Sequence, residues 1–150
     1  MKLAVHQPNY LPYLGFFDKA RQVDVFVLLD DVQFTTRGYT NRNRIKSPSG
    51  SKWLTVPVKR QQDQSIKDVR IDEGKKWQRI HLNTLKHMYG KAPHYQELED
   101  LLQSVYSTDW KFLAKLNTVL IKKVFDFLDI NPEIKISSEL NIRVNEPTTR

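Results

Sequence analysis

Hydrophobic positions change their spacing along this chain of 150 residues. Residues 2–5 and residues 25–29 are short apolar runs, and the second contains two β-branched residues. Such runs are typical of strands, and the second is typical of a strand buried on both faces. Residues 13–22 have apolar side chains at helical spacing, so the order strand, helix, strand predicts a parallel βαβ unit. The helical positions predicted to face inward are Leu14, Phe17 and Ala20.

A change of pattern after the second strand predicts a β-hairpin. Residues 43–46 and 52–56 are strand-like, and the turn residues Ser47-Pro-Ser-Gly50 lie between them. Residues 61–65 are polar and predict a loop, whereas residues 69–71 predict another short strand. The hairpin is therefore expected as an insertion that follows the βαβ unit.

The rest of the chain is predicted to be mostly helical. Residues 75–89 and 110–128 each put an apolar stripe on one face at ~100° per residue, with Asp109 as the predicted cap of the second helix. Residues 95–105 predict a helix between them, and residues 134–136 predict a returning strand. The sequence thus predicts an α/β fold with a small, mainly parallel sheet, a β-hairpin insertion and a helical C-terminal half. The stripes consist of Trp77, Ile80, His81, Leu85 and Met88, and of Leu113, Leu116, Leu120, Val124 and Phe127.

Composition places the chain among globular proteins. Hydrophobic residues make up 39% and charged residues 27%, as in a folded domain rather than a disordered one. The absence of cysteine excludes disulfides and thiolate metal ligands, and the four histidines lack a metal-ligand spacing. No metal site is predicted, and the sequence identifies no cofactor. No apolar run approaches the ~18 residues of a membrane span, and the N-terminus lacks a signal-peptide core, so a cytoplasmic location is expected.

The net charge of +7 is concentrated in one segment. Residues 32–62 contain seven Lys and Arg residues and no Asp or Glu. This segment is either a solvated basic hairpin or a site for an anion such as phosphate. In a strand, Arg42 and Arg44 would share one face, while Asn41 and Asn43 would share the other. The two arginines are a candidate anion clamp, and the alternative is an edge strand protected by charge.

Polar residues follow both strands of the predicted βαβ unit. Because ligands of open α/β sheets bind beyond the carboxyl ends of the strands, both clusters are expected to face one crevice. A histidine beside a carboxylate can act as a general base, so His6 is the candidate base and Asp30 or Asp31 its orienting partner. The alternative is that His6 bonds a backbone carbonyl and Asp30 caps a turn. The clusters are His6, Gln7 and Asn9, and Asp30, Asp31 and Gln33.

Two further polar residues lie on apolar helical faces, namely His81 and Asn117. A buried polar group costs free energy unless it is hydrogen-bonded. Both are therefore interpreted as hydrogen-bonded core residues rather than as catalysts.

The stretch that begins at His6 carries a recognisable pattern. It reads HQPNYLPYLGFFDK, and it resembles the WbqC-like family of bacterial proteins. The resemblance continues through DVFVLLDDVQFTTRGYTNRNRIKSPSGSKWLTVPVK and WQRIHLNTLKHMYGKAPHY, and it reaches ISSEL near the end of the chain. It implies a single WbqC-like domain over residues 1–150, truncated at the C-terminus relative to the family, whose members are usually longer. Residues 145–150 have the pattern of an approach to another helix, in agreement with such a truncation.

Members of this family are encoded among genes for surface polysaccharides. The resemblance implies an aminoacyl (glycyl) or acyl transferase that acts on an amino sugar or nucleotide sugar in O-antigen (lipopolysaccharide) biosynthesis. The expected partner is an anionic small molecule, either a nucleotide sugar or an activated acyl donor; nucleic acid is not expected, and the oligomeric state is not specified. The positions that match family motifs are His6, Gln7, Pro8, Pro12, Gly15, Asp30, Asp31, Gln33, Asn43, Arg44 and His81. The predicted substrate-binding residues are Gln7, Asn9, Tyr13, Gln33, Arg42, Asn43, Arg44 and Lys59.

Two alternative functions stay open. A nucleotidyltransferase-like enzyme would bind ATP, but of the Pro-x-His-x-Gly-His motif of such enzymes only Pro12 and Gly15 are present. A non-catalytic module that binds anions or nucleic acid would account for the charge, but no RRM, KH or helix-turn-helix pattern is visible. Binding of ATP would favour the first alternative, and steeply salt-dependent binding to random DNA would favour the second.

Overall fold

The computed structural model describes residues 1–141, so the predicted approach to another helix at residues 145–150 lies outside the described residues. Within these residues, seven strands and four α-helices follow one another, and the order agrees with the predicted one except for a short strand at Val58–Lys59 that was not predicted. The strands are β1 (Leu3–His6), β2 (Val25–Leu28), β3 (Arg42–Ser47), β4 (Gly50–Thr55), β5 (Val58–Lys59), β6 (Arg70–Ile71) and β7 (Glu133–Ile136). The helices are α1 (Leu14–Arg21), α2 (Trp77–Tyr89), α3 (Tyr95–Tyr106) and α4 (Leu113–Phe127), with short 3-10 helices at Ile66–Asp68 and Ser137–Glu139.

A parallel sheet of order β1-β2-β7 organises the first and last parts of the chain. β2 pairs in parallel with β1, so that His6 lies opposite Leu28, and also with β7, so that Leu28 lies opposite Ile136. Every residue of the central strand is buried, as the continuous apolar run predicts. The predicted parallel βαβ unit is confirmed, and the carboxyl ends of three strands meet at one edge.

The hairpin of β3 and β4 is an antiparallel pair of its own. Ser47 lies opposite Gly50, so a two-residue loop joins the strands. Gly50 has φ +122°, which side-chain-bearing residues rarely adopt, and this explains a glycine at the turn. With the helical second half, these elements confirm the predicted α/β class with a small, mainly parallel sheet and a hairpin insertion.

The start of α4 differs from the prediction. Asp109 does not cap this helix, which begins at Leu113 after an extended Phe112. The preceding residues pair with the segment around β6, because Ile71 N–H donates to the carbonyl oxygen of Lys111 at 2.9 Å. Backbone pairing therefore holds this segment extended and delays the helix by three residues.

Three apolar residues that the periodicity predicts to face inward are exposed. Leu14 is 80% exposed, Ile80 is 61% exposed and Phe127 is 48% exposed. Leu14 and Ile80 lie roughly 100° around their helices from the centre of the buried stripe. Phe127 is seven residues from the buried Leu120 and therefore lies on the same face of α4, but it is the last residue of that helix. The first two predictions were wrong because the buried faces of α1 and α2 are narrower than the apolar ones, and the third was wrong because the buried stripe ends before the helix does.

Two apolar clusters fill the interior, and α4 contributes to both. The phenylalanine cluster joins α1, β2 and the second half of α4. The tyrosine cluster joins the β4 and β6 region to α2, α3 and the first half of α4. The first consists of Phe16, Phe17, Ala20, Phe26, Leu28, Ile121, Phe125 and Ile130. The second consists of Tyr10, Leu54, Val56, Val69, Ile71, Trp77, Leu85, Tyr95, Leu102, Val105, Tyr106, Leu113, Leu116 and Leu120.

Candidate functional site

The loop that joins β1 to α1, residues 7–13, forms one wall of the candidate site. Asn117 of α4 is buried beneath it, and its side-chain amide donates to the carbonyl oxygen of Pro8 at 2.8 Å and to that of Thr40 at 2.7 Å. A single amide thus ties this loop to the segment that leads into β3. Losing a buried hydrogen bond is costly, so these contacts fix two segments of the site relative to each other.

Asn43 of β3 holds the middle of the same loop. Its side-chain amide donates to the carbonyl oxygens of Leu11 and, at 3.5 Å, Tyr10, while the N–H of Tyr10 donates to the carbonyl oxygen of Tyr39 at 3.1 Å. Leu11 has φ +42°, in the left-handed region that non-glycine residues rarely adopt. The loop is therefore a strained segment, and the hydrogen bonds from Asn43 and to Tyr39 stabilise its conformation.

The side chain of Tyr10 continues from this loop into the interior. Its hydroxyl lies 2.7 Å from Nδ1 of His81 and also bonds the hydroxyl of Tyr106. Nε2 of His81 lies 3.1 Å from the carbonyl oxygen of Thr55. Because a carbonyl only accepts, Nε2 carries the hydrogen and Nδ1 accepts from Tyr10. The hydrogen bonds then run from Tyr106 to Tyr10, from Tyr10 to His81, and from His81 to Thr55.

Burial keeps this network neutral. It lowers the pKa of His81 from 6.5 to about 4, although the hydrogen bond to Thr55 acts in the opposite direction. Burial also raises the pKa of Tyr10, with a further contribution from the neighbouring Tyr106, and it raises the pKa of Tyr106. All three groups are therefore uncharged at pH 7. The network fixes the position of Tyr10, and it confirms the interpretation of His81 as a hydrogen-bonded core residue.

A cavity of about 380 Å³ lies between the β1–α1 loop and β3, and we call it the Tyr13 cavity. Gly15 makes room for one of its walls, because a Cβ atom at this position would overlap with the ring of Tyr13. The rings of Tyr13 and Tyr39 are exposed here, so the cavity combines flat apolar surfaces with amide and guanidinium donors. Its lining residues are Asn9, Tyr13, Tyr39, Asn43 and Arg44.

Trp53 of β4 contacts two of the residues that line this cavity, Tyr39 and Arg44. The centroid of its ring lies 4.0 Å from Cζ of Arg42, 5.2 Å from Cζ of Arg44 and 5.9 Å from the ring centroid of Tyr39. Contacts between a guanidinium and an aromatic face are favourable, and they leave the N–H groups of the guanidinium free to bind an anion. The hairpin thus presents an exposed stack of aromatic rings and arginines.

The two arginines have different roles. The guanidinium of Arg42 donates to the carbonyl oxygens of Arg37 at 2.7 Å and Gly38 at 3.3 Å, so it holds the turn before β3. The side chain of Arg44 forms no hydrogen bond or ion pair within residues 1–141. Both side chains share one face, as predicted, but Arg44 is the one that lines the cavity and is available to an anion.

His6 ends β1 and begins the loop. Its Nδ1 lies 2.9 Å from the carbonyl oxygen of Gln7, and its ring packs edge-on against Phe16 with centroids 4.9 Å apart. Because a carbonyl only accepts, Nδ1 carries the hydrogen and Nε2 keeps a lone pair. The bond to a backbone carbonyl corresponds to the structural alternative for His6, and the resulting tautomer is one in which Nε2 can accept a proton.

Asp30 and Asp31 follow β2 at the same sheet edge as His6. The carboxylate of Asp30 accepts from the N–H and hydroxyl of Ser138 at 3.0 and 2.7 Å. The hydroxyl of Ser137 lies 3.1 Å from Asp30 and 2.6 Å from Asp31. The aspartates therefore join the end of β2 to the end of β7. Neither forms a hydrogen bond with His6 among the described residues, and their catalytic role stays a prediction.

Comparison with known proteins places this chain in a family. The model of the WbqC-like protein family matches residues 7–149. The chain belongs to the WbqC-like protein family. It is also 38% identical over 136 residues to Rv1507c of Mycobacterium tuberculosis, an uncharacterized protein. That alignment covers 89% of this chain and 58% of the relative, so the chain spans less than two thirds of the relative's length. No solved structure matches.

Half of the predicted substrate-binding residues line one cavity of this WbqC-like protein. The amide of Gln33 donates to Asp63 at 3.3 Å in a neighbouring loop, and Lys59 is exposed on β5, so neither lies at the cavity. The residues in the Tyr13 cavity are Asn9, Tyr13, Asn43 and Arg44. Those outside its lining are Gln7, Gln33, Arg42 and Lys59.

Sequence reasoning missed Tyr39 and Trp53. The hairpin turn fixes a register in which Trp53 lies opposite Arg44. Side chains that lie opposite each other in an antiparallel pair share a face, so an aromatic residue opposite a candidate anion ligand was the available signal. No comparable signal exists for Tyr39, which lies in an irregular segment before β3.

Within residues 1–141 no group of three or more His, Asp and Glu side chains is arranged to hold a metal ion. None of the helices in this range has the length and apolar character needed to cross a bilayer.

Proposed function

We propose that this WbqC-like protein is a transferase that binds an activated sugar, in which a sugar is joined to phosphate, in the Tyr13 cavity. The observation that carries the proposal is the combination of exposed rings at Tyr13 and Tyr39 with the guanidinium of Arg44, which has no partner within residues 1–141. Aromatic faces suit the apolar face of a sugar or a nucleotide base, and arginine suits phosphate. Asn9 supplies an amide that can hydrogen-bond sugar hydroxyls, whereas the amide of Asn43 holds the β1–α1 loop.

The reaction class follows from the resemblance to the family. It implies transfer of an aminoacyl or acyl group to the amine of an amino sugar, in the synthesis of surface polysaccharide. In such a transfer a bond forms between the amine nitrogen and the acyl carbon, the leaving group of the donor departs, and the amine loses a proton. A base near the sugar is therefore required.

We assign this base to His6, because its tautomer leaves Nε2 as a proton acceptor and because it begins the loop that carries Asn9 and Tyr13. Replacing His6 by Gln would then lower turnover by roughly 10²–10⁴-fold and leave the affinity for the sugar nearly unchanged. If the variant instead keeps full turnover with a lower melting temperature, His6 is a structural residue.

Calorimetric titration with UDP-N-acetylglucosamine, ATP and pyrophosphate tests the binding step. Replacing Arg44 by Gln should weaken binding of the nucleotide sugar by roughly 10–100-fold, as expected for loss of a hydrogen bond to a charged group. Arg21→Gln is the matched control, because it removes an exposed arginine of α1 that forms an ion pair with Asp18 and does not line the Tyr13 cavity. Equal effects of both variants, or no binding of the sugar, would contradict the proposal. A preference for ATP would favour the nucleotidyltransferase alternative.

A further inference from the structure

We propose that a second cavity, beside α2, binds one class of small molecule, a carboxylate with an apolar chain or ring. This cavity, which we call the Ile80 cavity, has a volume of about 450 Å³ and lies where β4 and β5 meet the first turns of α2. Its volume is in the range of small-molecule sites, roughly 300–1,000 Å³. It shares no lining residue with the Tyr13 cavity, so this inference goes beyond the proposed function and does not depend on it.

One part of the lining of this cavity is apolar. It consists of Pro57, Val58, Trp77 and Ile80. Ile80 belongs to the apolar stripe of α2, yet it is one of the large hydrophobic side chains that stay exposed. The stripe therefore extends beyond the core into this cavity, where an apolar chain or ring could cover Ile80 and remove it from water.

Two cations complete the cavity. Arg60 and Lys75 line it, and neither takes part in an ion pair within residues 1–141. The carboxylate of Asp72, three residues before Lys75, accepts the N–H of Gly74 at 3.2 Å. The cavity thus combines apolar walls with two positive charges that no ion pair in the described part of the chain neutralises, which suits an anion with an apolar part.

The other polar groups of the cavity favour a carboxylate over a phosphate. The side-chain amide of Asn41 donates to the carbonyl oxygen of Val56 at 3.1 Å, and Nε2–H of His81 donates to that of Thr55 at 3.1 Å. Each of these side chains thus uses a donor within the protein, and a ligand depends mainly on the two cations. A guanidinium binds the two oxygens of a carboxylate through paired hydrogen bonds. Beside the apolar walls, a singly charged carboxylate costs less to remove from water than a doubly charged phosphate with its larger number of lone pairs.

Titration of the wild-type protein with acetate, hexanoate, benzoate and phenyl phosphate tests the ligand class. Each buried CH₂ group should improve affinity roughly fourfold, so hexanoate and benzoate should bind at least about tenfold more tightly than acetate. Ile80→Ser should reduce this advantage and leave acetate unaffected. Equal affinities for acetate and hexanoate, or tighter binding of phenyl phosphate than of benzoate, would overturn the proposal.

Paired charge variants test the location of the site. The double variant Arg60→Gln/Lys75→Gln should weaken benzoate binding by about tenfold or more. The control, Lys76→Gln/Arg79→Gln, also removes two positive charges, but these residues lie outside the lining of the cavity. All four side chains are exposed, so both variants should fold. An equal loss of affinity in the two variants would show that the net charge of the protein, and not these two side chains, determines benzoate binding, and it would overturn the proposal.

One further variant separates the two cavities. Arg44→Gln should leave benzoate affinity unchanged, because Arg44 lines the other cavity. Loss of benzoate binding in this variant would place the carboxylate in the Tyr13 cavity and overturn the inference. Benzoate binding without binding of UDP-N-acetylglucosamine would instead contradict only the proposed function.

Discussion

The two apolar clusters of this protein differ in chemistry. The phenylalanine cluster is built from hydrocarbon side chains, including four phenylalanines, and needs only close contact. The tyrosine cluster also encloses hydroxyls and the imidazole of His81, which need hydrogen-bond partners. Close packing tolerates small rearrangements, whereas buried hydrogen bonds demand particular partners. The tyrosine cluster lies next to both cavities. Its Tyr10 belongs to the β1–α1 loop, which borders the Tyr13 cavity, and its Trp77 lines the Ile80 cavity. The comparison indicates that the first cluster stabilises the fold and the second positions the site.

The largest effect is expected in the phenylalanine cluster. The ring of Phe125 contacts those of Phe17 and Phe26, with centroids 5.8 Å apart in each pair. Phe125→Ala should lower the free energy of unfolding by about 3–5 kcal/mol, because it removes buried apolar area and leaves a cavity. Denaturant unfolding measures this change, with Phe125→Leu as a control that should cost less. The ligand affinity of the molecules that remain folded should not change. A loss of affinity in those molecules would contradict the inference that the phenylalanine cluster stabilises the fold without positioning the site.

The second prediction concerns pH and the tyrosine cluster. Burial lowers the pKa of His81 to about 4 in the folded protein, against 6.5 when unfolded. The unfolded chain therefore binds the proton first, and stability falls as the pH drops from about 6.5 towards 4. The contribution is on the order of 3 kcal/mol, and it is fully present above pH 6.5. Denaturant unfolding between pH 7 and pH 4 measures it.

The variant His81→Gln supplies the comparison for this pH dependence. Gln can still donate to the carbonyl oxygen of Thr55 but does not titrate. Its stability should therefore fall less steeply between pH 6.5 and 4 than that of the wild type. Equal slopes would show that carboxylates rather than His81 govern the acid sensitivity.

The two clusters also differ in what the sequence reveals. The run at residues 25–29 and the stripe of α4 identify much of the apolar interior. Buried strands and helices show apolar residues in runs or at regular spacing, and this pattern is visible in the sequence. The exact limits of a buried stripe depend on neighbouring elements, and Phe127 shows this. The prediction of Asp109 as a helix cap was wrong for a similar reason. The residues after it pair with the β6 segment, and such a tertiary contact leaves no pattern in the local sequence.

The candidate site was predicted in part. Residues adjacent in the chain to a strand end or a turn could be identified, among them Asn9, Tyr13, Asn43 and Arg44. The long-range partners could not, because they join positions far apart in the chain. Tyr10 and Tyr106 are 96 residues apart, and nothing in either local sequence indicates the hydrogen bond between them.

The direction of the hydrogen bonds around Tyr10 gives the third prediction. If Tyr10 donates to His81, Tyr10→Phe leaves two buried groups without partners, namely Nδ1 of His81 and the hydroxyl of Tyr106. The cost should be about 1–3 kcal/mol. Tyr106→Phe removes only a donor to Tyr10 and should cost about 1 kcal/mol. Denaturant unfolding of both variants measures the difference, and a larger effect at Tyr106 would reverse the inferred direction.

The smallest effect on stability is expected at Gly15, where stability and binding should change in opposite directions. Alanine has a higher helix propensity than glycine, so Gly15→Ala should raise the free energy of unfolding by up to about 1 kcal/mol. Its Cβ atom overlaps with the ring of Tyr13, but that ring is exposed and can move away. The displaced ring should then weaken binding of UDP-N-acetylglucosamine in the Tyr13 cavity.

A double-mutant cycle identifies the cause of this weaker binding. In a Tyr13→Ala background the ring is absent, so adding Gly15→Ala should not reduce affinity further. Thermal unfolding and calorimetric titration of the wild type, both single variants and the double variant measure the two effects. If Gly15→Ala weakens binding equally with and without the Tyr13 ring, the glycine acts on the loop backbone, and the wall formed by Tyr13 is not what the ligand recognises.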